Sequence, residues 1–537
     1  MVHVIDNKFK SAMIRLLFVC ASLLLFLPME ALFAQKASVQ LSPEFKLPKR
    51  KIFKGHLYSD ASSHYVYFNE YGSGKQATVI LEKFDSKFGL VYSKEFKSSK
   101  ENTTTLGIKY LKGGLAWLVS ERSKKDDYLK YHLAPISFDG KMGKASQIAN
   151  FPYEGRRDEP DAEWITSADT SKVLFTAVSD KNRDEDKLEI YLSVVDNNFQ
   201  TLWDRKVKLD KTEEQVEVKE WVLTADGDVF MLAKIYDSDK AKESKKGKKG
   251  KAAGYHMEIY HFSKAKPEPA QYALKLGESF IKGSTIATNQ VGELVAIGFF
   301  ANTLKGSTSG IFYMRMSPTD GSVLAVKKHG FSSKEIEILG EDNTSKDNEG
   351  EDGIDASFKF KDILFRADGS TLVTAEENFV ETRTYYNASS KTWDTRYVYY
   401  SKDIIAFNIG KTGEINNTTL IPKRQKFSTP TFEYFTTLVN KDDVYFFYND
   451  DADNLKKPIG SKPKYISSFK DCTAVMTKLD SEGKLDRKKI LDSSDAEALF
   501  VPSNSRQFSE NQLFFVCMKF RLLAASDFRM GVVSLID

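Results

Sequence analysis

The sequence predicts an all-β fold, a β-propeller of eight four-stranded antiparallel blades carried in one chain. Three observations predict it. One form of β-hairpin recurs eight times, a second form follows each of the first seven copies, and the chain stops one strand short of completing its last unit.

The first hairpin is clearest at "SFKFKDILFRADGSTLVTAEENF" (Ser357–Phe379), which alternates apolar and polar residues, breaks at Asp368-Gly369 and alternates again. In chain order its siblings are "LYSDASSHYVYFNEY", "KYLKGGLAWLVSE", "WITSADTSKVLFTAVSD", "WVLTADGDVFMLAKIY" and "ATNQVGELVAIGFF", and, after it, "TLVNKDDVYFFYND" and "SRQFSENQLFFVCMKF". In each, a polar or glycine turn leads into a run with period-2 alternation or continuous β-branched and aromatic residues.

The second hairpin reads "LEKFDSKFGLVYSKEF", "APISFDGKMGKASQIA", "SVVDNNFQTLWDRKVKL", "YHFSKAKPEPAQYALKL", "YMRMSPTDGSVLAVKKH", "AFNIGKTGEINNTTLIP" and "TKLDSEGKLDRKKIL". An apolar strand, a short Asp/Asn/Gly/Ser turn and a strand that becomes basic are common to all seven. Glycine, Asn and Asp suit the positive-φ positions of tight hairpins. Each unit is thus four antiparallel strands, and neighbours must stack radially to bury both faces.

The eighth unit ends with its third strand, "FRMGVVSLID", at Asp537. An incomplete blade would expose a sheet edge. The stretch "SVQLSPEFKLPKR", which has no other place, is expected to supply the missing outer strand and close the ring. Seven blades with one terminal unit packed outside is the alternative count. Before that stretch, Lys8, Lys10 and Arg15 precede the apolar run Leu16–Leu27 and the small-residue site ending at Ala34. The run is too short for a bilayer core of roughly 30 Å, so 1–34 reads as a cleaved signal peptide and 35–537 as a single propeller domain with no membrane span. The expected location is periplasmic, or secreted to the cell surface.

A net charge of +4 over 537 residues gives no electrostatic case for nucleic acid. Without the leader only Cys472 and Cys517 remain, which excludes a disulfide-built scaffold and a cysteine-rich zinc site. A disulfide between them and two buried thiols are both open readings. The histidines show no metal-ligand pairing; His256 and His261, five apart on one strand, point to opposite faces. No nucleophile elbow, phosphate loop or dinucleotide glycine fingerprint appears, so no catalytic residue, metal or cofactor is assigned.

Three insertions depart from the repeat. Seven lysines between Lys240 and Lys251 read as a solvated hairpin tip, or as an attachment to phosphate-rich lipid or polysaccharide. The acidic stretch Gly340–Asp355 does not fit the spacing of a calcium loop and reads as a linker without order. The aromatic hairpin Phe379–Asp403 carries the candidate contact residues Tyr385, Tyr386, Trp393, Arg396 and Tyr397. Exposed rings beside an arginine grip sugars or protein partners. Cross-strand packing competes with that reading, because Tyr397 and Tyr399 share one strand face and Tyr400 lies on the other.

The entry "YEGRRDEPDAEW" and the turn in "SADTSKVLFTAVSD" resemble the TolB-type propeller repeat of periplasmic proteins, although its Pro and Gly are absent here. The runs "YLSVVDNNFQTLWDRKVKL", "ELVAIGFFANTLKGSTSGIFYMRM" and "YYSKDIIAFNIGKTGEINNTTLIPKRQ" resemble a group of uncharacterised secreted propeller-like proteins of gram-negative bacteria. That resemblance implies an exported propeller and no particular activity. The expected function is a monomeric, non-enzymatic binding or scaffolding protein of the envelope, with an envelope protein or glycan as partner. The alternative is a hydrolase or lyase acting on polysaccharide or peptide at the ring's axial mouth.

Overall fold

The computed structural model describes residues 36–47, 51–70, 76–123, 127–152, 159–178, 187–238, 254–304, 306–339, 344–346, 352–354, 358–387, 391–466, 469–493, 498–519 and 527–536. The proposed signal peptide, the Lys240–Lys251 run and residues 153–158 of the TolB-like entry lie outside them.

Seven blades each use four consecutive strands, spanning Lys51–Lys97, Thr103–Pro152, Asp161–Thr212, Val216–Leu274, Phe280–Gly330, Phe358–Ile421 and Phe435–Asp492. The eighth takes its second and third strands from Gln512–Met518 and Asp527–Ile536. Its first position is split into Leu499–Phe500 and Arg506–Ser509 by a 3₁₀ turn at Pro502–Asn504, since proline cannot donate to the ladder. Lys36–Leu41 fills its fourth position, antiparallel to Asp527–Ile536, from Lys36 opposite Ile536 to Leu41 opposite Gly531 without a register shift. The amide of Met530 donates to Ser42 Oγ at 2.9 Å, and that of Ser42 to the Met530 carbonyl at 2.8 Å. The blade number is eight.

The repeat pattern follows from burial. A central strand has a neighbouring blade against each face, so both faces are apolar: Leu294–Ala301 is buried at every position. A fourth strand sits at the rim, and Val323–Gly330 is mostly exposed, with Lys327 and Lys328 in water. First strands of neighbouring blades touch one another and so line the axis.

Eight apolar clusters fill the interfaces between successive blades. Leu81 and Val79 of blade one meet Leu115 and Trp117 of blade two. The same pattern passes around the ring until Phe514, Val516 and Met530 of blade eight meet Phe53, Val66 and Phe84 of blade one. Each fully buried Phe, Val, Leu or Met contributes about 1.5–3 kcal/mol.

One turn design recurs in the outer hairpins. Asp85 Oδ1 accepts from the amides of Lys87 and Gly89, Asp196 Oδ1 from Asn198 and Gln200, and Asp480 Oδ1 from Glu482 and Lys484, all at 2.8–3.0 Å. The left-handed position belongs to Gly483 (φ +87°) in one of them but to Phe88 and Phe199 (both φ +62°) in the others, against the expectation of Gly, Asn or Asp. The aspartate clamp and, for Phe88, burial in the seam between blades eight and one offset that strain. Thr170, at φ +56°, holds the left-handed position of the Ser167–Lys172 turn.

One expectation changes and one open reading is decided. Within the acidic linker, Thr344–Lys346 pairs with Asp352–Ile354, and Ile354 is buried against the seam between blades five and six, so the described part is ordered by its one large apolar side chain. Cys472 and Cys517 are buried free thiols, and burial pushes both thiols up.

Alternating strand direction places every link between the second and third strands, and every link between blades, on one face of the ring. The aromatic hairpin, the acidic linker and the Asp451–Cys472 connection all leave from that face, as do the strand ends flanking the lysine run. Short turns occupy the other face.

A chain lacking residues 36–47 leaves Asp527–Ile536 with an unpaired edge. It is expected to lose about 3–6 kcal/mol, from roughly half a dozen ladder hydrogen bonds, in urea unfolding, and to aggregate more readily. Unchanged stability would show that the pairing does not secure the ring.

Candidate functional site

Blade six is extended. Its second and third strands, Thr371–Asn387 and Thr392–Ile409, have 17 and 18 residues, against 8 in Val229–Tyr236 of blade four. Pairing is continuous from Asn378 opposite Ser401 to Asn387 opposite Thr392, beyond a bulge at Glu376/Asn378. The surplus forms a two-stranded arm that reaches roughly 30 Å at about 3.4 Å per residue.

Alternation sorts the arm into two unlike faces. One carries Val380, Thr382, Thr384 and Tyr386 opposite Tyr399, Tyr397, Thr395 and Trp393, with no charged side chain. Trp393 is 70% exposed, Tyr386 53%, Tyr397 52% and Val380 51%. Tyr386 and Trp393 meet edge-to-face at 5.5 Å. The other face is self-satisfied. Arg396 lies 4.6 Å over the Tyr385 ring and its Nε donates to Tyr385 Oη at 3.0 Å. Arg383 donates twice to Glu381, Tyr400 Oη donates to Glu381 at 2.9 Å, and Phe379 stacks on Tyr400 at 4.8 Å. The five candidate contact residues therefore do not lie on one face: Tyr386, Trp393 and Tyr397 share the neutral face, while Tyr385 and Arg396 pair with each other on the opposite one.

Below the arm, between blades six and seven, lies a buried polar cluster that the repeat analysis missed. Glu376 and Lys423, both fully buried, form an ion pair. Ser401 Oγ donates to Glu376 Oε1 at 2.6 Å and Asn378 Nδ2 to Glu376 Oε2 at 3.0 Å. Lys423 Nζ also donates to Ser401 Oγ (2.5 Å) and Gln425 Oε1 (3.2 Å). Lys361 Nζ lies 3.8 Å from Glu376 Oε2 and 3.9 Å from the centre of the Tyr434 ring. Asp362 accepts from Thr437 Oγ1 at 3.4 Å.

Glu433 completes the group. It is 2% exposed, and its Oε1 has no hydrogen-bond partner. Burial pushes its carboxyl up to about 7; Lys423 and Lys361 oppose the rise and Glu376 adds to it. Burial also raises Asp362 and lowers Lys361. Tyr434 holds φ +73°, a strained conformation for an aromatic residue. Three carboxyls thus face two ammonium groups, and the surplus carboxyl keeps a proton near neutral pH, as acid–base chemistry requires. Part of the signal was present in the sequence: Glu376-Glu377-Asn378 sets three polar residues in a second strand whose counterpart Leu294–Ala301 is apolar throughout, and Lys423-Arg424-Gln425 follows the fourth strand of the blade.

A cleft of about 680 Å³ opens on the short-turn face beside His261. The Nε2 of His261 lies 2.9 Å from Asp228 Oδ2, its Nδ1 lies 3.2 Å from Tyr272 Oη, and its ring stacks on Phe230. With both nitrogens engaged, His261 is a packed, satisfied residue. Among the described residues no cluster of His, Cys, Asp and Glu is placed to hold a metal ion, and no helix is long and apolar enough to cross a membrane.

No family model and no curated protein matches the chain. Solved structures similar to it include prolyl oligopeptidase B from Galerina marginata, at 8% identity over 87% of this chain and 55% of that one, with a TM-score of 0.37. The polysaccharide lyase Uly1 is 11% identical over 93% of this chain and 100% of its own, with a TM-score of 0.38. The cobalt-substituted apocarotenoid oxygenase of Synechocystis is 11% identical over 53% of this chain and 63% of its own, with a TM-score of 0.29. The chain spans little more than half of the oligopeptidase and under two thirds of the oxygenase. Likeness at this level carries no activity across.

Glu433 binds its proton more tightly in the folded chain than in the unfolded one. Its protonated form favours folding fully below about pH 4.5, and that contribution is lost as pH rises through about 7. Glu433→Gln is expected to remove about 3 kcal/mol of the stability loss between pH 5 and pH 8, read from urea unfolding at each pH. An unchanged pH slope would contradict the raised carboxyl.

Proposed function

We propose that the protein is an exported, non-enzymatic binding propeller of the bacterial envelope, working as a monomer and holding a glycan chain along its aromatic arm. The observation that carries this reading is the neutral arm face, where Tyr386, Trp393 and Tyr397 stand exposed among threonines. Aromatic planes suit the apolar faces of sugar rings, and threonine hydroxyls suit their edges. The absence of charge on that face favours an uncharged polymer over an ionic partner. A ring packed at eight interfaces gives the arm a rigid base.

A second reading, a hydrolase or lyase acting on polysaccharide or peptide, is favoured by the buried carboxyls Glu433 and Asp362 beneath the arm. There Glu433 would carry the proton exchanged with the leaving or attacking oxygen. Turnover of any polysaccharide or peptide by the purified chain, abolished by Glu433→Gln, would replace the binding reading with this one.

The arm reading is tested by retention on immobilised neutral polysaccharides. Trp393→Ala and Tyr397→Ala are each expected to weaken retention at least about fivefold, near 1 kcal/mol per lost stacking contact, while Tyr385→Ala and Arg396→Ala change it little. Equal retention by all four variants, or capture of an envelope protein and no glycan, would overturn the glycan assignment.

A further inference from the structure

We propose that the inner wall of blades eight, one, two and three holds a second binding site, for a compact anionic sugar: a molecule of monosaccharide size carrying a carboxylate or phosphate. It stands independently of the arm. The wall encloses a cavity of about 290 Å³, at the small end of ligand sites. Its cationic side chains are Lys54 from blade one, Lys109 from blade two and Arg506 from blade eight, and no Asp or Glu lines it.

Three cations around one cavity without a lining counter-ion are an arrangement that folding alone does not favour. Lys54 and Arg506 form no ion pair among the described residues. Lys109 is held in place without a carboxylate contact: its Nζ donates to the Trp164 carbonyl at 2.5 Å and lies 5.1 Å from the Trp164 ring. Burial and the Arg506 charge both lower its pKa, with Glu163, outside the lining, pulling the other way. An anion between Lys109 and Arg506 would relieve that repulsion, and the guanidinium fork suits a two-oxygen acceptor.

The rest of the wall suits a polyol. Thr166, Thr170, Ser503, Asn504, Tyr67 and Tyr110 bring hydroxyl and amide groups to it. Gly55, at φ +147° in a bulge, keeps the centre of the wall free of a side chain. His56 adds no charge: burial, then His64 and Arg506, push it down to about 3, and its Nε2 lies 2.7 Å from Ser59 Oγ. Hydroxyl partners together with cations distinguish a sugar acid or sugar phosphate from a bare inorganic ion.

Calorimetric titration of the purified chain with glucuronate, glucose 6-phosphate, inorganic phosphate and glucose tests the site. Saturable binding of one or both anionic sugars is expected, at least tenfold tighter than glucose and weakened by salt. The Lys109→Met/Arg506→Met double variant should lose at least tenfold in affinity while the ligand-free protein melts no lower than the original. Lys54→Glu, at an exposed position, should weaken binding in the same direction and keeps the test decisive should the double variant not fold. Phosphate binding as tightly as either sugar would reassign the cavity to a bare oxyanion. No binding up to about 10 mM, or full binding by the variants, would overturn the site.

Discussion

A four-stranded antiparallel sheet with two apolar faces cannot stand alone in water, and every other feature of this protein follows from how that need is met. Each blade covers one face of the next, and the covering runs through eight interfaces back to the first. Central strands such as Leu294–Ala301 are therefore apolar on both sides, a rim strand such as Val323–Gly330 is mostly exposed, and the turns are short wherever nothing is gained by lengthening them. Stability is spread over many similar seams, so single loops can vary without endangering the ring.

That spread makes local departures informative. Beside the apolar cluster at its seam with blade seven, blade six also buries a polar group, Glu376, Lys423, Glu433 and their hydrogen-bonding neighbours. The same blade extends two strands far beyond the ring. Buried ionic groups of this kind cost desolvation and are seldom a route to greater stability. Their place at the base of the arm links the two departures in space. Elsewhere on the ring the inner wall carries three cations, Lys54, Lys109 and Arg506, and no acid in its lining.

The architecture was legible because it rests on repetition. Period-2 runs, turns and the missing last strand all encode local geometry, and the stretch they assign to the outer strand, Ser38–Arg50, overlaps the observed Lys36–Leu41 over its first four residues. What could not be read was anything that depends on which strands meet across a seam. Glu433 lies far along the chain from Glu376 and shows its importance only when blades six and seven touch. The arm residues were found as a group, but their division into two faces needed the register that opposes Tyr386 to Trp393. Phe88 and Phe199 in left-handed positions also escaped, because the aspartate clamp that permits them is a three-dimensional contact.

The central claim is that all eight blades form one cooperative ring, the blade assembled from the two chain ends included. Native-state hydrogen exchange of the full chain tests it most directly. Amides of Gln512–Met518 and Asp527–Ile536 should exchange as slowly as those of Leu294–Ala301, with only the arm beyond Asn378 exchanging much faster. A last blade that opens well before the other seven would contradict a closed ring.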